Sequence, residues 1–268
     1  MKIGFYNIQG GTGKTTIAAN MAYYLSDRIK TVYLDCDIYG GTGALLFGLE
    51  DNPNTLNAYL TEKCDFNDII HEYKNLSVVV CDTTPNAFDT DTDQKKFLEV
   101  IKTLEKDYDV IILDLPPNIT EGNILFSSES VLKKMIVVAE DSIPGIANTL
   151  KTIELLNALN LEIMGIIVNK DRNIVDFEGI LNEDDILAIL PYDKKVEYQW
   201  LEGVPIIEKR SSFGKELTFL ADELSETYIE KDLATLRALK IAKEFRSSII
   251  GGNDEADDNN DNENNFKF

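Results

Sequence analysis

A glycine-rich segment followed by lysine and threonine lies near the N-terminus, where residues 10–16 read GGTGKTT. Its three glycines allow a tight turn whose backbone N–H groups can point at one ligand. Lys14 can reach the β- and γ-phosphates of a nucleotide, where it would act in catalysis, and the Thr15 hydroxyl can bind Mg²⁺. The predicted phosphate-binding residues are Gly10, Gly11, Thr12, Gly13, Lys14, Thr15 and Thr16.

Seven short apolar runs along the chain have the length of β-strands. They cover residues 2–8, 31–36, 76–81, 109–114, 134–140, 162–169 and 185–190. Helical periodicity follows the glycine-rich segment and recurs over 93–106 and 146–158. Strands that are apolar on both faces suit a parallel sheet covered by helices on each side. We therefore predict an α/β fold with a mostly parallel twisted β-sheet between two helical layers.

Carboxylates follow two of the predicted strands, at the edge where ligands bind to sheets of this kind. Residues 32–41 read VYLDCDIYGG and place Asp35 and Asp37 at and just after the end of the second strand. Residues 109–117 read DVIILDLPP and place Asp114 at the end of a buried strand. The glycine-rich loop follows the first strand, so the sequence predicts that these acids lie near it.

The composition is that of a strongly acidic globular protein, with a formal net charge of −21 over 268 residues. An acidic surface repels phosphate backbones, so broad nonspecific DNA binding is disfavoured. The three cysteines lack metal-ligand spacing, and the N-terminus lacks the apolar core of a signal peptide, so we expect a cytoplasmic protein. We predict one domain over residues 1–250 and a disordered acidic tail over 251–268.

The phosphate loop departs from the common pattern, because Ile8 stands five positions before Gly13 where a glycine is usual. The remaining GGTGKTT resembles the deviant Walker A loop of the ParA/MinD family of P-loop ATPases. Further family-like segments follow in the same order and cover roughly residues 2–225. Residues 139–156 look most like the MinD and CpaE forms of that segment. The resemblance implies a P-loop NTPase fold that binds ATP and Mg²⁺.

The resemblance also implies roles for the acids. The segment around Asp37 resembles the switch I region of the family, whose second acid orients the attacking water. The strand that ends at Asp114 resembles the Walker B strand, whose acid holds Mg²⁺ through water. These two carboxylates and the Thr15 hydroxyl would then form the metal site, with Asp37 catalytic as well.

Two later segments resemble the adenine pocket of the family. Residues 164–171 read MGIIVNKD and end the strand with Asn169, whose amide can donate to and accept from a base. Residues 190–196 read LPYDKKV and would form the second half of that pocket. The predicted base-contacting residues are Asn169, Pro191, Tyr192 and Asp193.

Position 9 carries glutamine, where the family usually has a second lysine. In the family this lysine reaches the phosphates of the partner subunit in an ATP-bound dimer. Gln9 can donate hydrogen bonds but has no charge, and charge-assisted bonds are the stronger kind. We therefore expect that ATP is bound and that hydrolysis is slow without a partner. The resemblance still implies an ATP-dependent homodimer, although the charge that crosses the dimer is missing.

A basic amphipathic helix is predicted over residues 228–250, ahead of the acidic tail. Such a helix can bind an anionic membrane, which would place the protein peripherally on the inner membrane face. Alternatively, it can dock a partner, form a dimer contact or pack like an ordinary terminal helix. The sequence leaves these alternatives open.

Two functions remain open at this stage. The first is an ATPase switch that binds Mg-ATP, dimerises, hydrolyses ATP slowly and localises a cellular cargo with the help of an unidentified activating or cargo protein. The second is a scaffold of the CpaE/TadZ type that holds ATP and scarcely turns it over. Both interpretations follow from the resemblance and from Gln9, and the cargo itself is not encoded in the nucleotide site.

Overall fold

The computed structural model describes residues 1–90, 93–117, 132, 134–177, 180–235 and 238. The chain divides into two units, Met1–Ser225 and Glu226–Phe268. The larger unit contains every strand described below. In the part of the second unit that is described, residues 230–235 are helical. Most of the predicted helix 228–250 and all of the predicted tail 251–268 lie outside the described residues, so both stay predictions.

Eight strands of the described chain form one sheet in the spatial order β3-β4-β2-β5-β1-β6-β7-β8. They are β1 Lys2–Tyr6, β2 Thr31–Asp35, β3 His71–Tyr73, β4 Leu76–Val79, β5 Val110–Asp114, β6 Lys134–Glu140, β7 Glu162–Asp171 and β8 Ile186–Pro191. All neighbours pair in parallel except β3, which is antiparallel to β4. The predicted mostly parallel sheet is confirmed, and β3 is a short edge strand that the sequence pattern did not indicate.

Seven α-helices within the described ranges of the larger unit connect or flank these strands. They are α1 Lys14–Ser26, α2 Gly43–Leu46, α3 Leu56–Leu60, α4 Gln94–Asp107, α5 Ile143–Ala158, α6 Tyr198–Glu202 and α7 Ser212–Leu224. Helix α1 packs against the central strands and α7, and ten of its 13 residues are buried. Because α1 is buried on nearly all sides, its position is fixed, and so is the C-terminal end of the loop that precedes it.

The core lies on both faces of the sheet, as the period of a strand requires. Val32 and Leu34 of β2 belong to a cluster that also contains Phe97 of α4 and Leu156 of α5. Tyr33 alternates with them, is fully buried, and contacts Phe47 after α2. Every residue of β2 and of β5 is buried, so the acids that end these two strands are held in place by the core.

No helix among the described residues is long and apolar enough to cross a membrane.

Candidate functional site

A cavity of about 380 Å³ opens at the carboxyl ends of the central strands. Its size falls within the range typical of small-molecule sites. All predicted site residues except Thr12 line it: Gly10, Gly11, Gly13, Lys14, Thr15, Thr16, Asp37, Asp114, Asn169, Pro191, Tyr192 and Asp193. Thr12 is buried within the same loop. The structure thus brings together residues from distant parts of the chain, and their individual roles stay predictions.

The glycine-rich loop connects β1 to α1 and requires glycine at two positions. Gly11 has φ +77° and Gly13 has φ +99°, which side chains rarely adopt. A Cβ atom on Gly13 would lie 2.2 Å from Nδ2 of Asn169. That amide donates a 2.7 Å hydrogen bond to the carbonyl oxygen of Thr12. Any side chain at position 13 would therefore displace the Asn169 amide and disturb its bond to the loop.

Lys14 begins α1 and is the cation at the centre of the site. Only 6% of the residue is exposed, and Nζ donates a 2.9 Å bond to the carbonyl oxygen of Gln9. Burial lowers the pKa of Lys14, while the carboxylates of Asp114 and Asp37 act in the opposite direction. A poorly hydrated ammonium group next to an open cavity gains most from an anionic ligand.

Asp114 and Asp35 are paired in register at the ends of neighbouring strands. The hydroxyl of Tyr33 donates a 2.9 Å bond to Oδ2 of Asp114. Burial raises the pKa of Asp114 to about 6, against hydrogen bonds from Thr15 and Tyr33. Burial, and then the nearby Asp114 carboxylate, raise the pKa of Asp35 well above its ordinary value. Two crowded carboxyl groups of this kind favour a nearby cation.

Asp37 lies on the loop after β2 and lines the cavity. Oδ1 of Asp35 accepts a bond from the backbone N–H of Asp37, and its Oδ2 accepts one from Gly43. Asp35 therefore shapes this loop from inside the protein, whereas the carboxylate of Asp37 accepts from Gly40 at the cavity wall. In the sequence the two acids belong to one motif. In the structure Asp35 positions the loop, whereas Asp37 lines the cavity.

The donor set fits a magnesium ion that is shared with a phosphate ligand. Thr15, Asp37 and Asp114 offer hydroxyl and carboxylate oxygens, which are the ligands that Mg²⁺ prefers. No cluster of three or more His, Cys, Asp or Glu side chains suited to a metal occurs within the described part of the chain.

The opposite wall of the cavity is made by the ends of β7 and β8. Tyr192 lies under the Arg172 guanidinium, whose carbon is 3.8 Å from the ring centroid. Asp193 accepts bonds from the backbone and hydroxyl of Ser212, so it ties this wall to the start of α7. One N–H of Asn169 is used by the loop carbonyl described above. Asn169 therefore joins the two walls of the site, a function that the sequence did not reveal.

A buried aspartate holds the turn that follows β7. Both oxygens of Asp141 are used, since they accept bonds of 2.7, 3.0 and 2.9 Å from the backbone N–H groups of Arg172, Ile174 and Val175. Burial by itself raises the pKa of Asp141, but these three donors and the charge of Arg172 outweigh it and lower the pKa. The ionised carboxylate is therefore part of the folded structure.

We expect Asp141→Asn to lower the free energy of unfolding by about 1–2 kcal/mol at pH 7, because charge-assisted bonds are lost. The pKa of Asp141 is lowered by folding, so its contribution is present at neutral pH and is lost as the pH falls through the lowered pKa. Urea unfolding at pH 7 and near pH 3, where the difference between the two proteins should have become smaller, measures both effects. Asp171→Asn is the matched control, because the Asp171 carboxylate accepts a single backbone bond, from Asn173, within the described chain. A constant difference at both pH values would contradict this account.

Gln9 is held at both ends by its own chain. Its Nε2 donates a 3.0 Å bond to Oε2 of Glu140, and its Oε1 accepts a 3.0 Å bond from Asn148 of α5. Its backbone N–H donates to the side chain of Asn7. The amide of Gln9 therefore has partners within one subunit. No motif indicated them, because Glu140 lies 131 positions away in sequence and Asn148 lies 139 away.

Several further residues line the cavity, although they are not among the predicted site residues. They are Gly40, Thr42, Leu115, Pro117, Lys170, Val196, Glu197, Trp200 and Phe213. Trp200 is the sole tryptophan of the chain. Its neighbour Gln199 is fully buried and bonds to Asn20 and to Thr16 of α1. The short helix α6 is thus fixed to the helix that carries Lys14.

Comparisons with known proteins agree with this geometry. A family model described as an AAA domain matches residues 1–164. An uncharacterized ATP-binding protein of Methanocaldococcus jannaschii is 52% identical over 246 residues, which are 91% of this chain and 92% of that protein. The septum site-determining protein MinD of Synechocystis is 26% identical over 231 residues, covering 81% of this chain and 86% of that one. The solved structure of MinD from Pyrococcus horikoshii, complexed with Mg-ADP, has a TM-score of 0.72 and 25% identity, covering 83% and 95%.

A mostly parallel sheet with a glycine-rich loop between β1 and a buried helix defines the P-loop NTPase fold. The loop, the strand-end acids and the relatives narrow this class further. The chain belongs to the ParA/MinD family of P-loop ATPases.

Proposed function

We propose that this protein is an ATP-driven switch that binds Mg-ATP in the cavity, dimerises when ATP is bound, and hydrolyses it slowly to localise a cellular cargo. The observation that carries the proposal is the convergence of Lys14, Thr15, Asp37 and Asp114 on one cavity at the carboxyl edge of the sheet. Each of these residue types serves one need of phosphate chemistry, and they come from three different segments.

Each residue has a defined task in this proposal. The backbone N–H groups of the loop and the N-terminus of α1 hold the phosphates, and Lys14 neutralises their charge. Magnesium, when bound by Thr15 and by Asp114 through water, would supply further neutralisation of the phosphate oxygens. Asp37 orients the attacking water from the other side of the cavity. The adenine base lies against the wall formed by Asn169, Pro191, Tyr192 and Asp193.

Slow hydrolysis follows from Gln9. Transfer of a phosphoryl group places negative charge on oxygens that a cation stabilises best. The neutral amide of Gln9 adds no such charge, and its two hydrogen bonds hold it against Glu140 and Asn148. We expect ATP binding to be intact because the phosphate loop itself is complete. The missing charge at position 9 should therefore slow hydrolysis rather than weaken binding.

A scaffold that holds ATP as a structural ligand is the second candidate. The restraint of Gln9 within one subunit favours it, because a restrained side chain is less available to a dimer partner. Membrane or partner docking through residues 228–250 would serve either function equally. The cargo and the activating partner are separate questions, since they depend on surfaces rather than on the nucleotide site.

Two assays on the full chain separate these candidates. Size-exclusion chromatography with light scattering, in Mg-ATP, Mg-ADP and no nucleotide, measures dimerisation. Steady-state phosphate release measures turnover. If the protein is a switch, it should form a dimer in Mg-ATP but not in Mg-ADP, and its phosphate release should be measurable. If it is a scaffold, it should have the same molecular mass in both nucleotides and release no more phosphate than a Lys14→Ala control. Failure of the wild type to bind either nucleotide would contradict both.

A further inference from the structure

Lys170 is a cation in the cavity wall to which the sequence motifs assigned no function. It lies near the end of β7, directly after Asn169, and it lines the cavity together with Gly11. Its Nζ donates a 2.6 Å bond to the carbonyl oxygen of Gly11 and a 3.0 Å bond to Oε1 of Glu140. About 38% of its side chain is exposed. The ammonium group therefore contacts the phosphate loop, and the side chain is partly exposed beside the cavity.

The backbone at this position is unusual. Lys170 has φ +58°, a left-handed conformation that costs a non-glycine residue on the order of 1–2 kcal/mol. The pairing of β7 with β8 is irregular over the same stretch, between Val168 and Asp171. The irregular strand end places the side chain of Lys170 over the glycine-rich loop.

Glu140 is the group that positions Lys170. One of its oxygens binds the Lys170 ammonium, and the other accepts the neutral amide of Gln9. Because Gln9 carries no charge, it does not draw the carboxylate away from Lys170. A lysine at position 9 would compete for the same carboxylate. Gln9 and Glu140 together thus keep Lys170 fixed on the loop.

We propose that Lys170 is a further nucleotide-binding residue, which supplies in the same subunit a positive charge to the phosphates held by the loop, and that Glu140 and Gln9 position it. This inference rests on the proposed function, since it assigns a role within the same site. Lys170 has three N–H donors, of which two have acceptors among the described residues. A charge that acts equally on bound substrate and on the transition state raises affinity without raising turnover.

Calorimetric titration of the full chain with Mg-ATP, at low and at moderate salt, tests the proposal. We expect Lys170→Met to weaken ATP binding about tenfold at low salt, since one charge-assisted bond is lost. Its affinity should also depend less steeply on salt than that of the wild type. Methionine keeps an unbranched stem, so the left-handed backbone is equally costly in both proteins. Lys170→Arg should restore most of the affinity, because the charge returns.

A matched control and a thermodynamic cycle sharpen the result. Lys151→Met removes an exposed lysine from α5 and should leave ATP affinity within about twofold of the wild type, because Lys151 does not line the cavity. Glu140→Gln should weaken binding less than Lys170→Met, and the double variant should be no weaker than Lys170→Met alone, because both changes act through one contact. Additive losses would contradict the positioning role of Glu140.

The outcomes distinguish this inference from the function on which it rests. Unchanged affinity in Lys170→Met, with binding lost in Lys14→Ala, overturns the role of Lys170 alone. Weakened affinity with an unchanged salt dependence also overturns it, since the lysine would then only support the loop. A wild type that does not bind ATP, or a Lys14→Ala variant that binds it as tightly, overturns the proposed function itself.

Discussion

Lys14→Ala is expected to weaken Mg-ATP binding by at least about 100-fold, because it removes a buried ammonium group from the phosphates. Lys14 is 6% exposed, and its ammonium donates to the carbonyl oxygen of Gln9, which is a neutral acceptor. Its charge therefore gains a strong partner when an anion enters the cavity. Isothermal titration calorimetry of both proteins with Mg-ATP measures the loss directly.

A substitution of Lys14 should also change the stability of the nucleotide-free protein, and this effect can be measured separately from ATP binding. Folding lowers the pKa of Lys14 through burial, so keeping its ammonium group charged costs more free energy in the native state than in the unfolded chain. Lys14→Met, which keeps the stem, should therefore raise the unfolding temperature when no nucleotide is present. It should abolish the stabilisation by Mg-ATP. Tight ATP binding by Lys14→Ala would contradict the assignment of the phosphate loop.

Gln9→Lys is expected to raise steady-state ATP turnover at least about tenfold, since it restores a cation where charge develops during phosphoryl transfer. It should also weaken ATP binding slightly, because the introduced lysine and Lys170 would share Glu140. Phosphate release at saturating Mg-ATP gives the rate, and calorimetry gives the affinity. A rise in rate with a fall in affinity is the combination that the arrangement around Glu140 predicts.

The control for this change is Gln9→Met, which removes the hydrogen bonds to Glu140 and Asn148 without adding charge. It should not accelerate hydrolysis. If Gln9→Met and Gln9→Lys accelerate turnover equally, release of the side chain rather than its charge would be responsible. If neither variant changes the rate, and the wild type already turns over rapidly, the account of Gln9 is wrong.

The fold was predictable because its signals are local. Each central strand is an apolar run bounded by polar residues, and the run over 109–114 matches β5 Val110–Asp114 closely. The predicted helix 146–158 begins three residues early in the structure, where Ser142 caps α5 with a bond from Gly145. Strand β3 escaped prediction because His71–Tyr73 is short, polar and partly exposed. The spatial order of the strands depends on pairing between distant segments, which a pattern of apolar residues does not specify.

The candidate site was predictable where its residues are neighbours in sequence. Gly13, Lys14 and Thr15 belong to one loop, whose chemistry depends on local spacing. The hydrogen bond from Tyr33 to Asp114 joins residues 81 positions apart in sequence, and the bond from Asn169 to the loop joins residues 157 positions apart. Such contacts arise only when the sheet brings strand ends together. The sequence therefore indicated candidate ligand-binding residues, and the structure adds which residues hold them in place.

The site combines features that favour binding over turnover. Lys14 bonds to the carbonyl oxygen of Gln9 and Lys170 to that of Gly11, so two cations of one subunit contact the loop that is predicted to bind phosphates. The family resemblance implies a cation at position 9 that stabilises the transition state, and Gln9 is uncharged. Strong ground-state binding with weak stabilisation of the transition state gives an enzyme that stays loaded with ATP. A long-lived ATP-bound state would suit the proposed switch, in which ATP controls where the protein is located.

A crystal structure of the full chain with Mg²⁺ and a non-hydrolysable ATP analogue would show where the nucleotide binds. We expect phosphates within the loop at residues 10–15, the metal beside Thr15 and Asp114, and the base against Asn169 and Tyr192. We also expect the Lys170 ammonium within hydrogen-bonding distance of a phosphate oxygen. Nucleotide bound elsewhere, or phosphates in the loop with no metal near Asp114, would contradict the proposed site.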